Sequence, residues 1–404
     1  MNILVLNCGS SSVKYKLFDS LAQRVMARGI ADRVGQAGSL LQYIVPGRED
    51  VMVEAAFPDH RSAIEKILNF LTHPDLGVIK CTGEIGSVGH RVVHGGEVFN
   101  SPVRVDRRVL EVLEECSKLA PLHNPPNING INVCQRLIPG AEHVAVFDTA
   151  FHQTLPDFAH TYALPYRYYK ELRVRKYGFH GTSHKYVAKR AAGILNSSLE
   201  DLKIITCHLG NGSSLCAVGG GKSMDTTMGF TPLAGLMMGT RCGDIDPAII
   251  PYLVEKEGTT LDQLMDILHR ESGALGVSGI SSDFRDLERA CLEGEPRARL
   301  AIEMFVYGVA RGIGSLVPSV GGLDVLVFTA GIGENSPDLR DRICAYLNYL
   351  GVLLDKDKNT VRGVESEISA QQSGVRVLVI PTDEEKMIAL ETRAVIENCG
   401  EKQE

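Results

Sequence analysis

The chain has 404 residues, enough for two or three domains, and its composition is ordinary for a globular enzyme. Its 42 basic and 49 acidic residues give a net charge of -7, which excludes the overall positive field expected of a nucleic-acid-binding protein. No stretch approaches the roughly eighteen consecutive apolar residues of a transmembrane helix, and no basic region precedes the first apolar run. The ten cysteines form no CxxC pair, which indicates reduced, mostly buried thiols. We therefore expect a cytoplasmic protein without a nucleic-acid or membrane partner.

Apolar periodicity predicts an α/β architecture. Short apolar runs at residues 3–6, 87–93, 144–147, 204–209, 323–329 and 375–380 are typical of buried strands. Between them, apolar residues at three-to-four-residue spacing predict helices over 109–119 and 298–317. Residues 121–127 are too proline-rich for regular structure, so we expect a loop there. A helical pattern at 384–398 follows the last strand, and we expect it to pack back on the first half of the chain.

One short sequence motif occurs twice, with the two copies about half a chain apart. NCGSS starts at Asn7 and GNGSS starts at Gly210, and each follows a buried run and leads into an alternating segment, at 13–18 and 215–218. The repeat favours two related halves that hold a nucleotide, because glycine permits close backbone approach and the N–H groups and hydroxyls of such turns bind phosphate oxygens. Two unrelated glycine-serine hairpins are the alternative interpretation.

A third glycine loop, GIGEN at residues 331–335, directly follows the strand predicted to end at 329. A strand followed by G-x-G is weak evidence by itself, because glycine also caps helices, but three such loops in one chain favour a nucleotide site. The segment GGGKS at 219–223 is not a P-loop, since Cys216 occupies the position of that motif's first glycine.

Charged side chains near these loops suit phosphoryl transfer, in which a protein mainly positions the reactants and neutralises charge. Arg91 ends a predicted strand, Arg241 lies in a glycine-rich loop, and Asp148 follows a strand at its carboxyl end. Solvated surface arginines and a capping aspartate are the alternatives. His180 precedes a predicted helix, whose N-terminus is a favourable place for anions, although most histidines fill space or cap.

The sequence favours a hard metal ion with oxygen ligands. No HExxH or cysteine-histidine spacing indicates zinc. Magnesium that enters with a nucleotide keeps several waters and takes only one or two protein ligands. Asn7 and Glu384 are the candidates, with manganese as an alternative ion.

Nine segments resemble signatures of the acetate kinase family, within the acetate and sugar kinase, heat-shock chaperone and actin superfamily, and they occur in the family's order. They are NCGSSSVKYKLFD, GHRVVHGGE, LAPLHNPPN, VFDTAFHQTLP, RKYGFHGTSH, HLGNGSS, DTTMGFTPLAGLMMGTRCGDIDP, TAGIGENS and IPTDEEKMIA. The resemblance implies a homodimer of chains with two duplicated ribonuclease H-like lobes, each with a βββαβαβα core, and an active-site cleft between the lobes. It implies an N-terminal lobe of residues 1–150 plus 382–404 and a nucleotide-binding C-terminal lobe of residues 151–381.

The resemblance also implies residue roles. ATP would be bound by Lys14, His208, Leu209, Gly210, Asn211, Gly212, Asp283, Phe284, Arg285, Gly331, Ile332, Gly333, Glu334 and Asn335. Asn7 and Glu384 would hold magnesium. Arg91 would contact the carboxylate or phosphoryl group, and an apolar pocket for the methyl group would consist of Val93, Leu122, Phe179 and Pro232. Asp148 would act as the acid/base or orienting carboxylate, while His180 and Arg241 would stabilise the charged transition state.

The chain departs from the family pattern at two places. Cys242 follows the glycine-loop arginine where serine is expected, and Asp383-Glu384-Glu385-Lys386 replaces the Asn-Glu-Glu-Leu of many relatives. Neither departure removes a proposed catalytic group.

The activity that the resemblance implies is reversible, magnesium-dependent, in-line transfer of the ATP γ-phosphoryl group to acetate, giving acetyl phosphate and ADP. A propionate or other short-chain carboxylate kinase is the nearest alternative, because one methylene in an apolar pocket is worth only about 1 to 3 kcal/mol. A chaperone-like or actin-like switch ATPase is an alternative from another class, and a catalytically inactive binding protein is a third. The segments HRVVHGG and YGFHGTSH argue against the switch ATPase, which needs no pocket for a second substrate.

Overall fold

The computed structural model describes residues 1–121 and 123–400, with residues 399 and 400 described by their backbone alone. The chain divides into two compact units. Unit 1 contains Met1–Phe151 and the C-terminal segment that begins at Asp383, and unit 2 contains His152–Thr382.

The described part of unit 1 contains one mixed sheet covered by helices. Its strands are β1 (Asn2–Cys8), β2 (Ser12–Phe18), β3 (Val25–Asp32), β4 (Leu40–Ile44), β5 (Val51–Glu54), β6 (Ile85–Val92), β7 (Val103–Arg104) and β8 (Glu142–Phe147). They lie in the order β5-β4-β3-β2-β1-β6-β8-β7. Helices α1 (His60–Leu71), α2 (Arg107–Cys116) and α3 (Asn124–Leu137) belong to this unit. Leu4 and Leu6 of β1 pack with Ile64 and Ile67 of α1 in one core cluster.

Unit 2 contains the second sheet. Its strands are β9 (Ile204–Leu209), β10 (Ser213–Gly219), β11 (Lys222–Thr226), β12 (Val325–Thr329), β13 (Ser366–Glu367) and β14 (Arg376–Val379), in the order β11-β10-β9-β12-β14-β13. Its helices are α4 (Asp157–His160), α5 (Arg167–Leu172), α6 (Gly181–Ile194), α7 (Ile249–Glu257), α8 (Leu261–Arg270), α9 (Gly273–Ser278), α10 (Phe284–Leu292), α11 (Pro296–Val320), α12 (Ala330–Asn335) and α13 (Pro337–Ala345). The final helix, α14 (Glu384–Gly400), belongs to unit 1.

The two sheets share one core pattern. The strands β3-β2-β1-β6-β8 of unit 1 and β11-β10-β9-β12-β14 of unit 2 follow the same order. In each set the first three strands are antiparallel neighbours, and the last two run parallel to the third. All six predicted buried strands are present within these sheets. The predicted α/β fold with two duplicated lobes is therefore confirmed.

The repeated motif forms the same local structure in both units. NCGSS lies at the turn between β1 and β2, where Asn7 pairs with Lys14 across the antiparallel strands. GNGSS lies at the turn between β9 and β10, where Leu209 pairs with Ser213. The interpretation as two unrelated hairpins is wrong, because each turn lies between the equivalent two strands of a duplicated core.

The expectation of an irregular loop at residues 121–127 is wrong in its second half. Helix α3 begins at Asn124, with Pro125 and Pro126 as its second and third residues, within the first turn. Proline is tolerated there because the first helical N–H groups have no partner within the helix and proline already has a helical φ. The predicted helices near 109–119, 298–317 and 384–398 are confirmed as α2, α11 and α14.

Helix α14 covers one face of the first sheet. Its Ile388 and Ala389 are fully buried in a cluster with Ile3 and Val5 of β1 and with side chains of β8. Because the helix packs on this face, its first residue lies beside the ends of β1, β6 and β8. This arrangement places the acidic start of α14 close to Arg91.

The burial of the cysteines agrees with the expectation of reduced, mostly buried thiols. Six of the nine cysteines whose side chains the structure describes are buried, and all nine are free thiols. Within the described residues, α11 is the one helix that is long and apolar enough to cross a membrane, and 44% of its most apolar window is buried. Its Phe305 and Val309 lie in the same core cluster as Cys207 and Leu215 of the second sheet.

Candidate active site

Four polar side chains from four elements meet in unit 1. Arg91 lies next to the end of β6, and Asp148 directly follows the parallel neighbour β8, so both lie at the carboxyl edge of the sheet. Arg91 Nε donates to Asp148 Oδ1 at 3.1 Å, and Arg91 Nη2 donates to Asp148 Oδ2. Arg91 Nη1 donates to Asn7 Oδ1 at 3.2 Å, and Glu384 Oε2 lies 3.9 Å from Arg91 Nε.

The ionic partners in this cluster are unevenly matched. Burial opposes the charge of Arg91, but Asp148, Glu384 and Glu385 outweigh it and raise its pKa. Glu384 loses hydration and faces two other carboxylates, and its pKa rises to about 7 although Arg91 pulls it down. Asp148 holds Arg91 in a two-bond pair, which is the strongest geometry for this ion pair. Glu384 is therefore the acid whose negative charge is least compensated.

The cluster can accept a hard cation. Asn7 and Glu384 supply an amide oxygen and a carboxylate oxygen, both of which suit magnesium, and an under-compensated carboxylate favours a bound cation. Among the described residues, no group of three or more His, Cys, Asp or Glu side chains is arranged to hold a metal ion. Two protein ligands would leave several coordination positions of a magnesium ion to water.

Asp383, where many relatives of the resembled family have asparagine, anchors the start of α14 through its side chain. Asp383 Oδ1 accepts from the Lys386 backbone N–H at 3.0 Å and from Lys16 Nζ at 2.7 Å. Lys16 also lies 3.1 Å from Glu385 Oε2. Lys14, two residues earlier on β2, has an exposed side chain. Lys16 therefore holds the residues on both sides of Glu384.

A pocket of about 400 Å³ lies in unit 2. Its lining includes members of three predicted ATP-binding segments: Gly210 and Asn211; Asp283, Phe284 and Arg285; and Gly331, Ile332 and Asn335. Ser282, Glu288, Ser336 and Arg362 complete the lining. A pocket of this size and mixed polarity suits a nucleoside, because small-molecule sites typically occupy roughly 300 to 1,000 Å³.

The other predicted ATP-binding residues do not line this pocket. His208 and Leu209 are buried at the end of β9, and Gly212 closes the β9–β10 turn. Gly333 is buried in α12, and Glu334 Oε1 accepts from the Thr382 backbone N–H at 3.0 Å. These residues shape the loops on which the lining residues lie.

A fully buried arginine fixes two of the pocket's loops. Arg340 donates to the carbonyl oxygens of Gly333 and Glu334 at 2.9 and 3.0 Å, and to those of Asn359 and Val361 at 2.9 and 2.8 Å. Desolvation lowers its pKa to about 10. Arg340 thereby connects the GIGEN segment with the loop that carries Arg362.

A second set of predicted catalytic residues meets at the β9–β10 turn. His180 is the N-cap of α6 and has a left-handed backbone with φ 57°. A Cβ built on Gly212 would lie 3.4 Å from His180 Nε2 and 3.6 Å from Arg241 Nη1, so both side chains converge on this glycine. The His180 ring stacks on His208 with 4.1 Å between centroids.

Arg241 differs from Arg91 in having no carboxylate partner among the residues that the structure describes. Its Nη1 has only long contacts, 3.4 Å to the Pro232 carbonyl oxygen and 3.8 Å to Met238 Sδ. No carboxylate of the described residues lies within 4.0 Å of its guanidinium. Burial lowers its pKa. A half-buried cation without a counter-ion favours an anionic ligand, because an anion restores the lost electrostatic stabilisation.

Sequence comparison places these residues in a known family. A model of the acetokinase family matches residues 2–390. The chain belongs to the acetokinase family. It is 55% identical to the acetate kinase of Thermoanaerobacter pseudethanolicus over 397 residues, which cover 98% of this chain and 99% of the relative.

Solved structures of acetokinase relatives agree with this assignment. The crystal structure of Porphyromonas gingivalis acetate kinase matches with a TM-score of 0.94 and 46% identity, over 98% of this chain and 99% of that one. A propionate kinase from Francisella tularensis subsp. tularensis matches with a TM-score of 0.91 and 41% identity, with the same coverage.

The apolar residues predicted for the methyl pocket belong to both units. Val93 follows β6 in unit 1 and is buried. Phe179 and Pro232 belong to unit 2, where Phe179 is buried and directly precedes His180. Leu122 lies outside the described residues.

Sequence reasoning missed several residues around these sites. Arg340 and Arg362 lie in segments without a glycine motif, and no local pattern links them to residues 331–335. Ser213 and Ser214, which were expected to offer hydroxyls to phosphate, are fully buried and bond to protein groups instead. His184 had a readable signal, because it lies four residues after His180 and therefore on the same helix face.

Proposed function

We propose that this acetokinase is an acetate kinase that transfers the γ-phosphoryl group of ATP to acetate. An acetate oxygen forms a bond to the γ-phosphorus as the bond from that phosphorus to the bridging β,γ-oxygen breaks, and acetyl phosphate and ADP leave. The reverse reaction regenerates ATP. The observation that carries this proposal is the 55% identity with an acetate kinase over 98% of this chain.

ATP is bound by the glycine segments of unit 2. The lining of the 400 Å³ pocket by Gly210, Asn211, Gly331, Ile332 and Asn335 supports this assignment. Asp283, Phe284 and Arg285 complete the nucleoside end, while His208, Leu209, Gly212, Gly333 and Glu334 shape its loops. Lys14, exposed on β2, contributes a positive charge to the phosphates. The C-terminal lobe of residues 151–381 is thus the nucleotide-binding one, and residues 1–150 with 382–404 form the other.

Arg91 binds the acetate carboxylate or the phosphoryl group that it receives. Its two bonds to Asp148 hold the guanidinium in place, which suits an orienting role for Asp148. Acetate is already ionised near neutral pH, so it needs little help from a base. Val93, Leu122, Phe179 and Pro232 surround the methyl group and limit substrate size.

Charge neutralisation is the main catalytic term, because two anions must approach each other. His180 and Arg241 stabilise the transferring phosphoryl group, and the long contacts of Arg241 Nη1, with no carboxylate of the described residues beside it, support this role. Each preorganised donor of this kind is typically worth about 3 kcal/mol of transition-state stabilisation.

Asn7 and Glu384 would hold magnesium, with manganese as a substitute. When bound, the ion would neutralise negative charge on the nucleotide phosphates. Calorimetric titration of the apo-protein with magnesium tests these ligands: Glu384→Gln should weaken binding at least about tenfold, whereas Glu397→Gln on the exposed side of α14 should leave it unchanged. Equal magnesium affinity in the Glu384 variant would reject the assignment.

Acyl phosphate formation tests the activity. Purified enzyme is incubated with ATP, magnesium and formate, acetate, propionate or butyrate, and product is trapped as the hydroxamate. The highest kcat/KM should be that for acetate. Product from no carboxylate, with ATP hydrolysis independent of carboxylates, would instead favour a switch ATPase.

A propionate kinase is the second candidate. The propionate kinase from Francisella tularensis shares 41% identity and a TM-score of 0.91 with this chain, so the fold fits either substrate. A higher kcat/KM for propionate in the same assay would rename the substrate and keep the mechanism.

The enzyme acts in the cytoplasm as a homodimer, without a nucleic-acid or membrane partner, and sedimentation of the purified protein tests its assembly.

A further inference from the structure

A buried hydrogen-bond chain leads from β9 to His180. Thr206 Oγ1 lies 2.7 Å from His184 Nδ1, and His184 Nε2 lies 2.8 Å from Ser214 Oγ. Ser214 Oγ in turn lies 2.9 Å from His180 Nδ1. Thr206, His184 and Ser214 are all fully buried, so water does not compete for these bonds.

The direction of the donors in this chain follows from its far end. If His184 donated to Thr206, the Thr206 hydroxyl hydrogen would have only the Cys216 carbonyl oxygen at 3.4 Å, beyond the ordinary range of an O–H···O bond. A buried hydroxyl that lacks an acceptor costs about 1 to 3 kcal/mol. The favoured arrangement therefore has Thr206 donating to His184 Nδ1.

The remaining bonds are then determined in sequence. Burial and the neighbouring rings of His152 and His208 lower the pKa of His184, so its imidazole is neutral and carries one hydrogen. With Nδ1 accepting, that hydrogen is on Nε2 and is donated to Ser214 Oγ. The Ser214 hydroxyl then donates its own hydrogen to His180 Nδ1.

We propose that Ser214 is a positioning residue that fixes His180 in the neutral tautomer whose Nε2 carries the hydrogen. In that tautomer Nε2–H is a donor on the side of the ring that approaches Gly212 and Arg241. The opposite tautomer would present a lone pair to an anionic phosphoryl group. The catalytic part of this inference rests on the proposed function, because it uses His180 as a phosphoryl donor; the tautomer itself does not.

The tautomer is measured by nitrogen NMR of the complete protein labelled with ¹⁵N in its histidine rings. The His180 signals are identified by their loss in His180→Gln. In the natural protein Nδ1 of both His180 and His184 should have the shift of a ring nitrogen without hydrogen, and in Ser214→Ala the two His180 nitrogens should move toward averaged values. A hydrogen on His180 Nδ1, or a His180 spectrum unchanged by Ser214→Ala, would overturn the proposal.

A second variant guards against misfolding of the first. Thr206→Val is nearly isosteric and removes the donor at the start of the chain, so the His184 signals should also lose their single tautomer. Thr226→Val is the matched control, because the Thr226 hydroxyl donates only to the Leu215 carbonyl oxygen at 2.7 Å in the same sheet. An effect of Thr226→Val on the histidine tautomers equal to that of Thr206→Val would contradict the chain.

Kinetics separates positioning from structure. Ser214→Ala should lower kcat about tenfold, since a loosened donor loses part of its transition-state stabilisation, while KM for ATP and acetate stays within about twofold. A rise in both KM values with unchanged kcat would reject the positioning role. Absence of carboxylate kinase activity in the natural protein would reject the proposed function but leave the NMR assignment intact.

Discussion

Arg91 and Arg241 are both proposed to bind the phosphoryl or carboxylate group, but replacing each with methionine should change the free energy of unfolding by different amounts. Arg91→Met removes an ionic partner of Asp148, whose side chain is only 2% exposed, and also a donor to Asn7. Removing one member of a buried ion pair leaves an uncompensated charge and typically costs 3 to 5 kcal/mol, so we expect a loss of about 3 kcal/mol for a pair whose arginine is 22% exposed.

Arg241→Met removes no strong hydrogen bond of the Arg241 side chain to another described residue. The contacts of Arg241 at 3.4 and 3.8 Å are longer than ordinary hydrogen bonds, and burial already disfavours its charge. Methionine keeps the apolar stem, so the free energy of unfolding should change by less than about 1 kcal/mol, with a gain more favoured than a loss. Both variants should nevertheless lose about 100-fold in kcat.

Urea unfolding followed by circular dichroism measures the first effect, since the chain has no tryptophan. Steady-state kinetics with acetate measures the second, and Arg241→Met should lower kcat far more than it weakens ATP binding. Equal destabilisation by both substitutions would refute the distinction between a paired and an unpaired arginine. Unchanged turnover with weakened ATP binding in Arg241→Met would refute its proposed role.

Two further predictions concern pH and the nucleotide pocket. Burial lowers the pKa of His152 from 6.5 to about 4, so its contribution to stability is complete above pH 6.5 and is lost as pH falls toward 4. Urea titrations at several pH values should show that His152→Gln reduces the acid-side slope of the unfolding free energy by up to about 1.4 kcal/mol per pH unit. An acid-side slope equal to that of the natural protein would contradict this. Gly331 lines the pocket and a Cβ built on it meets no atom within 4 Å, so Gly331→Leu should raise KM for ATP at least about tenfold without lowering the thermal midpoint. Gly140→Leu, at an equally open position outside the pocket, is the control, and a normal KM in the Gly331 variant would reject the pocket assignment.

Most of the fold could be predicted from sequence because buried parallel strands leave a local signal. Most residues of β1, β6, β8, β9, β12 and β14 are buried, so the side chains on both faces of these strands are mostly apolar. The start of helix α3 was not predicted, because Pro125 and Pro126 were taken to exclude a helix although proline is tolerated in the first helical turn. The duplicated strand order could be suspected from the repeated turn, but only the sheet pairings define it.

The candidate site was less predictable because its geometry is nonlocal. Arg91 and Asp148 are 57 residues apart in sequence, and their pairing depends on β6 lying beside β8. Among the described residues no carboxylate pairs with Arg241, and the sequence of the glycine-rich loop does not indicate this. The Ser214 hydroxyl was assigned to phosphate because its motif resembles a phosphate turn, yet it points to two histidines inside the unit.

Phosphorus NMR with ¹⁸O-labelled acetate tests the central claim most directly. If a carboxylate oxygen attacks the γ-phosphorus, the enzyme with ATP, magnesium and labelled acetate gives ADP and acetyl phosphate whose phosphorus resonance shows the isotope shift of one bonded ¹⁸O. Release of inorganic phosphate at a rate independent of acetate, without any acetyl phosphate, would contradict the account.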